Sequence, residues 1–135
     1  MDFKIIHRIP TVEEYINLRK SAGWADTDQA ATQSALSHSL FSVVAFANDT
    51  VIGFGRIVGD GGLYFYIQDL IVQPDFQSKG VGTAILQALM TYLKANAKPG
   101  SFVGLMAATG RKEFYRKFDF KVRAVDAPGM YRVWT

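Results

Sequence analysis

The strongest constraint on the fold is a change of hydrophobic period along the chain. Three apolar runs, LFSVVAFA (40–47), VIGFGRIV (51–58) and LYFYIQDLIV (63–72), are rich in β-branched and aromatic residues and are joined by the short turns NDT and GDGG. Runs of this kind read as an antiparallel meander. After Pro74 the pattern becomes helical over GVGTAILQALMTYLKANA (80–97), where Val81, Ile85, Leu89 and Tyr92 or Leu93 recur on one face. It then returns to a strand in SFVGLMAA (101–108). A strand, a long helix and a further strand form a crossover, so the strands at 63–72 and 101–108 are expected to be parallel.

The flanking segments complete the pattern. DFKIIHRI (2–9) reads as a first strand stopped by Pro10. TVEEYINLRKSAG (11–23) places Thr11 and Glu14 at capping-box spacing and ends on a glycine, which predicts a helix. DTDQAATQSALSHS (26–39) predicts a second, shorter helix whose weak apolar face makes it a movable element. RKEFYRKF (111–118) reads as a fourth helix, and FKVRAV (120–125) and GMYRVW (129–134) as two last strands. The expectation is one α+β domain over residues 1–135, with a mixed, mostly antiparallel central sheet of about seven strands and four flanking helices.

Composition removes several function classes. With no cysteine, a disulfide scaffold, a thiolate metal site and a cysteine nucleophile are excluded, and two histidines, His7 and His38, do not make a metal cluster. No metal is expected. The opening MDFKIIHRIP carries neither a signal-peptide pattern nor a long apolar run, so a cytoplasmic protein without a membrane partner is expected. Seven of the fifteen Lys and Arg residues lie between Lys98 and Arg123. Solvated surfaces account for them better than a nucleic-acid face, because no stacking aromatics interleave with them.

The segment FQSKGVG (76–82) links the meander to the long helix. The first N–H groups of a helix have no internal partner and carry partial positive charge, and Gly80 and Gly82 leave the backbone open to approach. Such a turn can seat an anion, although glycines at a strand-to-helix junction also serve purely conformational needs. It is not a nucleotide P-loop, since no Gly-Lys-Ser/Thr occurs, and the third glycine of the dinucleotide fingerprint is missing.

LIVQPDFQSKGVGTAIL (70–86) resembles the acetyl-CoA-binding segment of the GNAT superfamily of N-acetyltransferases, in which Leu-x-Val-x-Pro precedes Gln/Arg-x-x-Gly-x-Gly/Ala. EFYRKFDF (113–120) is similar to the family's Phe-Tyr-x-x-Phe-Gly-Phe segment, with Asp119 in place of the glycine. The order of elements also resembles the family fold, a three-layer α/β/α arrangement. The resemblance implies acetyl-CoA as cofactor, with the main chain of Leu70, Ile71 and Val72 pairing with the pantetheine arm. It implies that Gln77, Ser78, Lys79, Gly80, Val81, Gly82 and Thr83 hold the pyrophosphate. The acceptor would be a primary amine on a small molecule or peptide, attacking the thioester directly.

In that scheme Tyr115 is the candidate general acid for the departing thiolate, and its alternative is a core tyrosine on an aromatic helix. Some family members carry a glutamate where this chain has Gln68, which cannot accept a proton. Asp69 is a neighbouring candidate only if a bulge breaks strand alternation, and a hydrogen-bonded acid at a strand irregularity is the favoured reading. A water held by Gln68 and Tyr66 is a further route, and His38 reads better as a helix cap. Trp24 and Tyr66 are candidates to line the acceptor cleft. The competing reading is a non-catalytic acyl-CoA-binding module of the same fold, suggested by the missing glutamate. A homodimer is expected by analogy with the family.

Overall fold

The structure, a computed structural model, describes residues 2–135, which form two compact units, one reaching to Leu105 and one spanning Met106–Thr135. The first unit runs β1 (Lys4–His7), α1 (Val12–Ser21), α2 (Gln29–Ser37), β2 (Phe41–Ala47), β3 (Thr50–Gly59), β4 (Tyr64–Val72), α3 (Val81–Asn96) and β5 (Phe102–Gly104). Its sheet has the order β1-β2-β3-β4-β5, antiparallel except for the parallel pair β4–β5 that the crossover predicts.

Helix α1 forms where its start signal stands. The Thr11 hydroxyl accepts from the Glu14 amide while the Glu14 carboxylate accepts from the Thr11 amide, and Arg8 grips the same carboxylate through both terminal nitrogens at 2.9 and 3.1 Å. Gly23, just past the helix, adopts φ 75° as a C-terminal glycine should.

The two faces of the sheet bury different layers. Phe54 packs edge-on against Tyr15 of α1, within an apolar cluster that includes Leu18, Leu36, Val44 and Ile71. On the other face, α3 buries Val81, Ile85, Leu86, Leu89 and Leu93, and Tyr92 stacks on Phe41. The two glycines inside β3 are explained by α3. A Cβ on Gly53 would come within 2.9 Å of the Ile85 Cδ1, and one on Gly55 within 2.6 Å of its Cγ2. A side chain at either position would force Ile85 to move, most of all at Gly55.

The sheet has five strands rather than about seven. In the second unit α4 (Lys112–Arg116) forms as expected, but neither 120–125 nor 129–134 is a strand. Their alternation of apolar and polar residues matches a strand, yet a strand needs a ladder partner and neither segment has one among the described residues. Val125, Tyr131 and Trp134 are accordingly exposed, and Arg132 covers the Trp134 ring at 4.8 Å. The strand at 101–108 is likewise cut to three residues. The α+β class and the arrangement of helices on both faces of a mixed sheet stand.

Candidate active site

Two features of the first unit bear on chemistry, and both begin at β4. Strand β5 pairs with β4 only at Tyr64, Phe65 and Tyr66. From Ile67 to Val72, β4 is held on one side by β3 and, among the described residues, has no strand on its other side. Ile71, opposite Phe54, turns its main-chain groups into the β3 ladder, so those of Leu70 and Val72 lie on the open edge, where a linear amide-bearing ligand can add hydrogen bonds.

Past β4 the chain makes a 3-10 turn (Pro74–Phe76) and enters α3 at Gly80, whose φ of 85° is left-handed. Ser78 is left-handed as well, at φ 61°. The Gln77 amide is bonded to the Pro74 carbonyl at 3.2 Å and its side-chain amide to the Val72 carbonyl at 3.1 Å, so Gln77 braces the loop instead of offering its N–H to an anion. The next six amides, Ser78 to Thr83, have no protein acceptor among the described residues; the ladder of α3 begins with Ala84 donating to Gly80. Left-handed residues interleaved in such a run turn successive N–H groups into a concave nest at the positive end of the helix dipole. The loop is exposed, Lys79 included. The donor set suits a pyrophosphate, and the unpaired edge of β4 suits a pantetheine amide, so the residues present fit coenzyme A.

The second feature is a bulge. Phe54 lies opposite Ile71 and Arg56 opposite Gln68, so the single residue Gly55 of β3 faces two of β4, Leu70 and Asp69. Asp69 is the extra residue, at φ 60°. The irregularity cancels strand alternation and turns both Gln68 and Asp69 toward α1 and α2. Asp69 is 3% exposed, and its carboxylate accepts from the Tyr15 hydroxyl (2.8 Å), Arg56 Nε (2.9 Å) and the Gln68 amide (3.1 Å), with Arg19 Nη1 at 3.8 Å. Burial, and then the Asp69 charge, raise the Tyr15 phenol above its ordinary value. Tyr66, opposite Val58 on the same side of the sheet as Arg56, is raised by burial alone. Trp24 packs beside the same cluster under the Arg19 guanidinium.

Tyr15, Arg19 and Arg56 escape the motif search because no family signature includes them. A signal existed: Arg56 and Asp69 each interrupt an apolar run, on strands expected to be hairpin neighbours. His38 ends α2, with Nδ1 against the Ser34 carbonyl at 2.7 Å, and has the capping role.

In the second unit Tyr115 is 9% exposed, edge-on to Phe114 and Phe120. Burial raises its phenol, opposed by the charge of Arg111. Its hydroxyl has no protein hydrogen-bond partner among the described residues, so it combines a retained proton with a free donor. Asp119 takes the left-handed conformation at φ 67°, as the glycine it replaces would.

Residues 38–122 match the family model described as acetyltransferase (GNAT) domain. The chain is 30% identical over 122 residues to an uncharacterized N-acetyltransferase, ycf52, of the red alga Porphyra purpurea, covering 87% of this chain and 69% of that one. A crystal structure of a Staphylococcus aureus protein of unknown function, named a probable acetyltransferase, superposes with TM-score 0.93 at 34% identity, covering 98% of this chain and all of that one. A GNAT-family acetyltransferase from Streptococcus pneumoniae superposes with TM-score 0.81 at 31% identity, covering 98% of each chain.

Proposed function

Since this chain belongs to the GNAT acetyltransferase family, we propose that it transfers an acetyl group from acetyl-CoA to a primary amine on a small molecule or peptide. The observation that carries the donor assignment is the run of six consecutive amides, Ser78 to Thr83, without protein acceptors at the start of α3. The N-acetyltransferase name of the algal relative supports an amine as acceptor.

Acetyl-CoA, when bound, supplies a thioester whose carbonyl the amine attacks and whose thiolate departs. Ser78 to Thr83 hold the diphosphate, Gln77 braces the turn, and the free edge at Leu70 and Val72 aligns the pantetheine arm. Tyr115, kept protonated by burial, would act as the general acid by directing its O–H at the leaving sulfur; because a thiolate is a weaker base than a raised phenolate, that hydrogen bond would stabilise the developing charge while the proton stays largely on the phenol. Trp24, Tyr66 and Gln68 line the acceptor side. Asp69, whose oxygens are engaged by Tyr15, Arg56 and Gln68, positions those groups and leaves deprotonation of the amine to water held near Gln68 and Tyr66. We propose further that residues 1–135 serve as a single acetyltransferase domain. A homodimer and a cytoplasmic setting complete the proposal, and sedimentation velocity tests the first.

The test is thiol release from acetyl-CoA across an amine panel. Wild type turns over on at least one amine, whereas Tyr115→Phe loses about a hundredfold or more in kcat with acetyl-CoA affinity retained. Loss of kcat and affinity together points to a packing role for Tyr115. The absence of a free carboxylate beside Gln68 favours one second reading, a non-catalytic acyl-CoA-binding module. That reading predicts acetyl-CoA binding with thiol release at background for every amine.

A further inference from the structure

A cavity of about 180 Å³ lies between the helices and the sheet of the first unit, walled by Tyr15, Thr27, Thr32, Leu36 and Arg56 with two alanines of α2. Resting on the acetyltransferase reading above, we propose that this cavity holds an anionic group of the acceptor and that Arg56 is the residue that recognises it.

The first argument is charge. Two guanidiniums, Arg19 and Arg56, converge on one carboxylate, Asp69, and their side chains are only 17% and 13% exposed. Arginine does not deprotonate in proteins, so the cluster carries one uncompensated positive charge in a region of reduced dielectric. An acceptor's ammonium group placed there meets like charge, whereas a carboxylate or phosphate completes the balance. The acceptor is therefore oriented with its anionic end toward Arg56 and its amine directed away.

The second argument is the count of donors. Arg19 has committed itself: Nε and Nη2 bond the Ala25 carbonyl at 3.1 and 2.7 Å, and Nη1 bonds the Tyr15 hydroxyl at 3.3 Å. Arg56 gives Nε to Asp69 and Nη1 to the Ala35 carbonyl and the Ser39 hydroxyl, while Nη2 has no protein acceptor among the described residues. Of the two cations, the one lining the cavity is the one with a donor to spare. Ser42, opposite Arg56 in the β2–β3 ladder and so on the same face, is 3% exposed with a hydroxyl that also has no partner. A polar group left without a partner is expensive, and an anion in the cavity gives the spare Arg56 donor an acceptor. Asp69 fixes the guanidinium from behind, which favours recognition of a planar or tetrahedral oxyanion.

The experiment uses matched acceptors on the full chain: leucine against leucinamide, and phosphoethanolamine against ethanolamine. Expected is a kcat/KM for the anionic member of one pair about tenfold or more above its neutral partner. The pair that responds identifies carboxylate or phosphate as the group. Arg56→Met should bring the anionic acceptor down to the neutral one through KM, with acetyl-CoA affinity unchanged, and Arg56→Lys should restore part of the preference. Ala31→Leu narrows the cavity without touching the ion cluster and should raise KM for the anionic acceptor, which guards against a folding defect in the arginine variants. Binding of isocaproate and of inorganic phosphate, followed by thermal shift, gives a readout independent of turnover: one of them should stabilise wild type and not Arg56→Met. Neutral acceptors equal to or better than both anionic ones, or a preference that survives Arg56→Met, overturns the proposal. If no amine is acetylated while an anion still binds through Arg56, the acetyltransfer reading fails and the anion site stands.

Discussion

The loop that opens α3 and the sheet face beneath α1 and α2 are built from different materials. The loop offers main-chain amides, Ser78 to Thr83, on a turn where Ser78, Lys79 and Thr83 are exposed and Val81 is buried. The face offers side chains, Tyr15, Arg19, Arg56 and Asp69, locked in a buried ion and hydrogen-bond network. A main-chain site tolerates many side chains and forbids few, because its donors belong to the fold. A side-chain network has the opposite property, since each member leaves its partners unpaired when removed. On the function proposed above, the loop suits one fixed ligand part, a diphosphate, and the face beneath α1 and α2 suits an acceptor that sequence change can respecify.

That contrast can be broken by substitution. Asp69→Ala should have the largest effect, about 3–5 kcal/mol of lost stability, because it strands Arg56 and Arg19 in a buried site; urea denaturation reads it. A cost below 1 kcal/mol, on the order of an exposed pair, makes the network ornamental. Gly82→Asp should leave the urea midpoint nearly unchanged and weaken acetyl-CoA binding about ten- to a hundredfold by calorimetry, since it adds a negative side chain to the first turn where the diphosphate is placed. Gly80→Ala sharpens the comparison. Nothing lies within 4 Å of a Cβ at Gly80, so the cost is that of a left-handed alanine, about 1 kcal/mol of stability.

The smallest effect belongs to neither region and calibrates both. Hydrogen bonds from Arg8, above all, hold the Glu14 carboxyl below its ordinary value. A depressed acid contributes stability above its unfolded pKa and loses it as pH falls through the folded one. Glu14→Gln should therefore cost about 0.5 kcal/mol at neutral pH, and the gap from wild type should close on acidification, as thermal melts at a series of pH values will record.

Legibility in the sequence followed the same division. The main-chain site could be read because its requirements are local: an apolar strand, Pro74, and glycines at the helix start. The capping box at Thr11 and Glu14 was readable for the same reason. Of the side-chain face only Asp69 was readable, as a hydrogen-bonded acid at a strand irregularity; its partners Tyr15, Arg19 and Arg56 were not, because a one-residue slip in pairing is set by both strands together. Strict alternation turns Asp69 away from Gln68; the bulge puts them side by side at 3.1 Å. The two last strands failed for a related reason, since FKVRAV and GMYRVW carry a strand pattern but pattern alone supplies no partner.

The central claim, that helix-start amides hold the donor's diphosphate, is tested most directly by titrating nitrogen-labelled protein with acetyl-CoA and following backbone amide resonances. The account predicts that Ser78 to Thr83 shift furthest and saturate together, with Gln77, already bonded to Pro74, moving less. Saturable binding that leaves those six amides unmoved while others respond would contradict it.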